Sequence, residues 1–434
     1  MRVLFATYSE RTHFHAMVPL AWALAGAGHE VRVASQPALT ETIVASGLTA
    51  VPVGADHNLW RIANRFLTPR MARRDPAVYQ RARAVDLPPF DTAELEPDEI
   101  DWDYMRSGYE HAVARWYRVV NDPMVDDLVA FAREWRPDLV LWEQATYAGP
   151  IAAAAVGAPH VRMPWCLDIF GRTRTNFRTM RDSRPEWDRS DPLADWLRAH
   201  AQRLHVDSAD QTVEDMTVGH ATIDQYPVPL QLDAGLNCLP MQYVPYNGPA
   251  VVPSWLRDPP SRPRVCVSLG VSATSRFGGY PVEMGDLLRA LGDLDVEIIA
   301  TVADNQQGGL GAVPSNTRIV SFVPLAALMP TCSAAVNHGA FGTVNTTLRY
   351  GVPQLTIPEQ HDNPPVCRRI VSYGAGLTIP YTQVSADGVY AAVHSLLTES
   401  SFPESATRLR ESMLAMPTPQ QTVAALEQIS GAAA

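Results

Sequence analysis

The segment Asn337-His338-Gly339-Ala340-Phe341-Gly342-Thr343 has the residue types and spacing of an anion site. It follows the apolar run Ser333-Ala334-Ala335-Val336 and opens a helical pattern through Tyr350, which Gly351-Val352-Pro353 stops. A strand, a tight glycine turn and a helix start gather unpaired backbone N–H groups and the positive end of a helix dipole at one point. His338 adds a side-chain donor there and Thr343 a hydroxyl, while Gly339 and Gly342 let a phosphate approach the backbone closely. Taken alone, the segment also fits an ordinary strand-to-helix turn with a solvated histidine. His13 is the second candidate. It follows the apolar run 2–8 and precedes Phe14, Met17, Val18, Ala21, Leu24 and Ala25, which repeat at helical spacing until Gly26 and Gly28 end the pattern. His13 therefore falls in the loop or first turn at the carboxyl end of the first strand, where open α/β sheets bind ligands. A histidine there can take a proton from a substrate near neutral pH. His15 competes for that role, although helical spacing turns it in another direction.

The elements that must position these groups alternate along the chain. β-rich runs at 2–8, 30–35, 49–53, 138–142 and 160–164 form one series, and runs at 264–269, 296–302, 318–323, 334–337 and 354–358 form a second, with helical patterns between them. Such alternation implies right-handed βαβ units and parallel sheets covered on both faces. The expected fold class is α/β with two doubly wound, Rossmann-like domains, the first over 1–235 and the second over 264–415. Residues 236–263 join them as a Pro-rich linker, and residues 416–434 are expected to form a helix that packs back on the N-terminal domain. The stretch from His57 to Asp126 breaks the alternation with an Arg-rich piece, Pro88-Pro89, an acidic run and the aromatics Trp102, Tyr104, Tyr109, Trp116 and Tyr117. It reads either as an aromatic cover over a cleft that suits a flat hydrophobic ligand, or as a helical cap whose aromatics pack on the first domain.

Composition narrows the function. At 434 residues the chain exceeds what one core fills, and 46% hydrophobic with 19% charged residues is the balance of a globular protein. A net charge of -11 argues against nucleic acid as a partner, because phosphate-backbone binding needs clustered cations. The five cysteines lack CxxC spacing and read as free thiols. The apolar run at the N-terminus is too short for a signal peptide and no run is long enough for a membrane span, so a cytoplasmic protein without a membrane role is expected. Neither G-x-G-x-x-G after the first strand nor a Walker A motif is present, which weakens redox and NTPase readings.

Several separated segments together resemble the bacterial antibiotic-type glycosyltransferases. They are 18–24 with 27–34, Ala221-Thr222-Ile223-Asp224, the linker 243–249, Phe322-Val323-Pro324-Leu325, the His338 motif, and 362–376. The resemblance covers nearly the whole chain and implies the GT-B fold, with acceptor on the N-terminal domain and donor on the C-terminal one. It implies an inverting transfer of a deoxysugar from a dTDP-sugar donor to a polyketide aglycone, macrolide or aromatic, with dTDP-sugar as co-substrate, no other cofactor and no metal. By resemblance, His13 is the general base. Glu143, after the run 138–142, falls where related enzymes place an acid beside that histidine, although it also fits a solvated loop acid. His338, Gly339, Gly342 and Thr343, together with Ser272 in the Gly270-Val271-Ser272 turn, would hold the diphosphate. Phe322 and Val323 would take the nucleotide base, although Phe322 also fits a core position. Asp362 and Asn363 would meet the sugar. The sequence departs from the common family pattern at Ala340, where a second glycine is usual, at Asn337, where a histidine is frequent, and at Asn363, where a glutamine is frequent. The resemblance admits a P450-like activator protein and a homodimer as partners. Three other functions stay open: C-glycosylation of an aromatic ring, a GT-B nucleotide-sugar 2-epimerase, and an inactive donor- or partner-binding homologue.

Overall fold

The structure, a computed structural model of the chain, describes residues 1–63, 74–75, 88–270, 274, 278–280, 282–359 and 362–431. Two all-parallel sheets organise it. The first comprises β1 (Arg2–Ala6), β2 (Glu30–Ser35), β3 (Thr49–Pro52), β4 (Leu139–Trp142), β5 (His160–Arg162), β6 (Ala221–Asp224) and β7 (Cys238–Pro240), in the order β3-β2-β1-β4-β5-β6-β7. The second comprises β8 (Arg264–Ser268), β9 (Glu297–Thr301), β10 (Thr317–Val320), β11 (Ala334–Asn337), β12 (Gln354–Thr356) and β13 (Gly376–Thr378), in the order β10-β9-β8-β11-β12-β13. Strands such as β4, Leu-Val-Leu-Trp with every residue buried, are apolar throughout because helices cover both faces. The ten β-rich runs expected from sequence each hold a strand. β6, β7 and β13 were not among them.

Strand order reverses at one place in each sheet. β1 lies between β2 and β4 with Ala6 opposite Trp142, and β8 lies between β9 and β11 with Ser268 opposite Asn337. The loops leaving the two strands of each such pair diverge to opposite faces and leave a crevice, which is where doubly wound sheets hold ligands.

The Pro-rich segment 236–263 is less irregular than expected. Cys238–Pro240 pairs in parallel with β6 as an edge strand, and Pro240 sits at its end, where a missing N–H is tolerated. The only other regular piece there among the described residues is a 3-10 turn, Ser254–Leu256. The helix Pro419–Ser430 lies against the helix Arg11–Gly26, and His29 Nε2 stands 3.1 Å from Glu427 Oε1. No helix among the described residues is long and apolar enough to cross a membrane.

The aromatics of the insertion divide between the core and the cleft. Trp102, Tyr109 and Tyr117 are buried; the first two pack on Phe177, at centroid distances of 5.2 and 4.9 Å. Trp116 instead lines the cleft between the sheets, as does Trp60. The Arg-rich piece, 61–83, falls mostly outside the described residues. Glu94 bridges to the second half of the molecule through Arg368 and Arg369 on the helix Asn363–Tyr373.

Candidate functional site

The crevice at the end of β1 and β4 holds a histidine and a carboxylate. His13 lies in the first turn of the helix Arg11–Gly26, and Glu143 is the first residue beyond β4. The side-by-side pairing of β1 with β4 brings them together across 130 residues of sequence. His13 Nδ1 stands 3.4 Å from Glu143 Oε2, an ion-pair distance without the alignment of a good hydrogen bond. Glu143 is fully buried, so it is not a solvated loop acid. Its Oε2 accepts from Trp165 Nε1 at 2.8 Å and from the Ala145 N–H at 3.1 Å, and its Oε1 accepts from the Thr146 hydroxyl. A buried carboxylate needs such donors to stay ionised. His13 is sandwiched by rings: Trp165 stacks on it at 4.0 Å and 19°, and Tyr8 meets it edge-on at 5.1 Å. His15 also lines the cleft, edge-on to Tyr246. Burial, helped by the Arg11 charge, pushes its pKa down to about 4, so it stays a neutral imidazole near neutral pH.

The matching crevice of the second sheet is built from backbone. Gly270, beyond β8, has φ +75°, and a Cβ there would lie 2.5 Å from His338 Cε1, so only glycine lets the two loops pass. Asn337 shapes the turn: its Oδ1 accepts from the Gly339 N–H at 2.8 Å, and its Nδ2 donates to Gln354 Oε1 at 2.8 Å. Gly339 has φ +81°, and a Cβ would meet Cys367 Sγ at 2.8 Å. Gly342 differs, since a Cβ there would meet nothing nearer than the Tyr243 hydroxyl at 3.6 Å. The helix Phe341–Arg349 starts from Ala340 with no side-chain cap and no acidic residue in its first turn. Its first N–H groups are thus left for another acceptor, and its dipole favours a negative one.

Phe322 is 48% exposed at the cleft, not a core residue, while its neighbour Val323 is buried. Asp362 and Asn363 both line the cleft and are nearly buried. The Asn363 amide is partly committed, since Nδ2 donates to the His338 carbonyl at 2.9 Å. Ser272 lies outside the described residues.

One cavity of about 430 Å³ runs between the two crevices, with His13, Trp165 and Trp116 on one side and His338, Thr343 and Phe322 on the other. Among the described residues, no group of three or more His, Cys, Asp or Glu is placed to hold a metal ion. Sequence reasoning missed Thr146, three residues beyond Glu143 with no motif to mark it, and Trp165, whose loop meets that of Glu143 only through the adjacency of β4 and β5.

Two family descriptions match the chain. The N-terminal domain of "Erythromycin biosynthesis protein CIII-like" proteins matches residues 22–270, and the C-terminal domain of the same proteins matches residues 285–429. The chain belongs to this family. It is 44% identical to a 10-deoxymethynolide desosaminyltransferase of Streptomyces venezuelae, over 99% of this chain and 97% of that one. It is 41% identical to a 3-alpha-mycarosylerythronolide B desosaminyl transferase of Saccharopolyspora erythraea, over 99% and 98%. The crystal structure of the glycosyltransferase VinC in complex with dTDP superposes with a TM-score of 0.86 at 38% identity, covering 99% of this chain and all of that one. The fold of this CIII-like protein is therefore GT-B, and the protein is a glycosyltransferase.

Proposed function

We propose that this CIII-like transferase moves a deoxysugar from a dTDP-sugar to a hydroxyl of a macrolactone-type polyketide, with inversion at the anomeric carbon. One observation carries the reading: a buried histidine–carboxylate pair and an uncapped helix start open onto the same cavity from opposite sheets. Glu143 beside Nδ1 favours the tautomer with its proton on Nδ1, which leaves Nε2 as the base. The acceptor hydroxyl gives its proton to Nε2 as its oxygen forms the bond to the anomeric carbon. The bond from that carbon to the diphosphate oxygen breaks on the far side, and dTDP leaves with the electron pair. The charge that develops on the diphosphate meets the N–H groups of the helix start with His338 and Thr343 beside them. Phe322 offers the thymine ring an exposed face, and Asp362 with Asn363 would meet the sugar. The aromatic wall of Trp116 and Trp60 suits an apolar aglycone, and the two desosaminyl transferases named above support a macrolactone in that role.

A P450-like activator or a second copy of the chain would act on this reaction from outside the groups named here, all of which come from one chain. The test is a donor-by-aglycone assay read by mass spectrometry, in EDTA and with the purified protein alone. A mass gain of one deoxyhexosyl unit on a macrolactone, cleaved by mild acid, supports O-transfer. An acid-stable product would point to C-glycosylation, and an isomerised donor without product to epimerisation. Either outcome overturns the proposal.

A further inference from the structure

Trp165 touches both members of the buried pair at once. Its indole N–H donates to Glu143 Oε2 at 2.8 Å, and its ring lies flat on the His13 imidazole at 4.0 Å. Those are the two degrees of freedom a general base must not have: the orientation of its ring and the position of the charge behind it. The loop carrying Trp165 is pinned on both sides. Its backbone N–H donates to Gln144 Oε1 at 3.2 Å, which ties it to the residue after Glu143. Further along, the buried Arg162–Asp168 pair, 2.6 Å, closes the loop between residues 162 and 168. Asp168 also accepts from the Gly171 N–H at 2.9 Å, so the following helix starts in register with that pair. An added Cβ at Gly171 would lie 2.4 Å from Asp168 Oδ2, so the closure leaves no slack. The loop spans the ends of β4 and β5 with a partly exposed tryptophan at its tip, facing the cavity.

We propose that Trp165 is a positioning residue for proton transfer, holding the His13 ring and sharing the Glu143 charge. The inference rests on His13 being the base. Its two contacts act in opposite senses. The indole N–H takes part of the carboxylate's charge and so limits how much of it reaches the His13 ring. The stacked face stabilises the imidazolium that forms as the acceptor loses its proton. Removing only the N–H therefore leaves more carboxylate charge for His13 and keeps its proton bound to higher pH.

Trp165→Phe tests this, because a phenyl ring keeps the stack and loses the donor. Relative to the native protein, kcat at optimal pH should fall roughly tenfold, with acceptor KM changed less than about threefold. The acid limb of the kcat–pH profile should move up by roughly half a unit. The same shift should appear in an NMR titration of the His13 ring in the absence of substrates. Affinity for dTDP, measured by calorimetry, should be unchanged. If Trp165→Phe perturbs folding, a benzothienylalanine at position 165 keeps the bicyclic shape and replaces the N–H with sulfur, and it should give the same shift. An unshifted acid limb and His13 titration overturn the inference, as does a rise in acceptor KM with kcat intact, which would make Trp165 a wall of the acceptor site. His13→Ala separates the two readings. If it keeps activity, the base assignment fails; if it is inactive while Trp165→Phe behaves as native, only the role of Trp165 fails.

Discussion

On the His13 side of the cavity, the proposed base is a side chain held by other side chains: Glu143 behind it, Trp165 over it, and Thr146 bonded to Glu143 in turn. On the His338 side, the groups proposed to bind the diphosphate are mostly backbone, shaped by Gly270, Gly339 and the Asn337 amide, and ending in an uncapped helix. Both crevices occupy the same place in the same kind of sheet, so topology alone does not set the difference. The chemistry does. A proton acceptor must titrate near the working pH and must point one way, which calls for a single ring with fixed neighbours. A diphosphate carries charge over many oxygens, and it is best met by several fixed donors that do not titrate. The first arrangement concentrates function in one residue; the second spreads it over a turn.

Substitutions should therefore give a near-complete loss on one side and graded losses on the other. His13→Ala should lower kcat by about two to four orders of magnitude, with dTDP affinity by calorimetry within about twofold of native. If dTDP affinity falls in proportion, the two crevices are not separable and the comparison breaks. Gly339→Ala should cost about 2–4 kcal/mol, because its backbone sits at φ +81° and the new methyl runs into Cys367 Sγ. That loss should divide between Tm and dTDP affinity, while kcat at saturating donor changes less. Gly342→Ala meets only the Tyr243 hydroxyl at 3.6 Å and should leave Tm unchanged. His338→Ala should cost roughly 1–3 kcal/mol in dTDP affinity, the scale of one hydrogen bond to a charged group. A loss as complete as that from His13→Ala would mean that the donor side, too, depends on one residue.

The two sides also differ in how well the sequence reveals them. The His338 turn was legible because a strand, glycines and a helix start are contiguous in the chain. His13 was legible by its place after β1. Trp165 was not, because a lone tryptophan after β5 meets Glu143 after β4 only once the two strands pair, and no spacing in the chain encodes that meeting. Ten strands could be read as β-rich runs bounded by turn residues. β6, β7 and β13 were not read as runs, and length is not the reason, since β5 and β12 also have three residues; β7 falls inside the Pro-rich segment and ends on Pro240, and β13 opens on Gly376, both poor strand signals. Trp102, Tyr109 and Tyr117 looked the same as Trp116 in sequence, and only their packing, the first two on Phe177 and the third on Tyr147 and Trp196, separates core aromatics from the one that lines the cavity.

Asn363 gives the finest test, because it belongs to both the turn and the cavity. Its resemblance-derived role is to read the sugar, which predicts that Asn363→Gln changes the preference between deoxysugar and glucose-type donors while dTDP affinity stays fixed. The structure gives its Nδ2 a prior commitment to the His338 carbonyl at 2.9 Å, beside the space that a Cβ on Gly339 would enter. A glutamine adds a methylene at a site only 1% exposed, so it must either lose that bond or push against the turn. Asn363→Gln should then weaken dTDP binding by about 1 kcal/mol, whatever it does to the sugar. Asp362→Asn leaves the brace in place and removes the carboxylate. It should change the ratio of kcat/KM between the two donors while dTDP affinity holds. Calorimetry with dTDP and a two-donor competition assay separate these outcomes. If Asn363→Gln keeps full dTDP affinity and shifts the donor ratio, the amide reads the sugar and the His338 contact is dispensable, and the donor side is then less dependent on its backbone than the comparison with His13 holds.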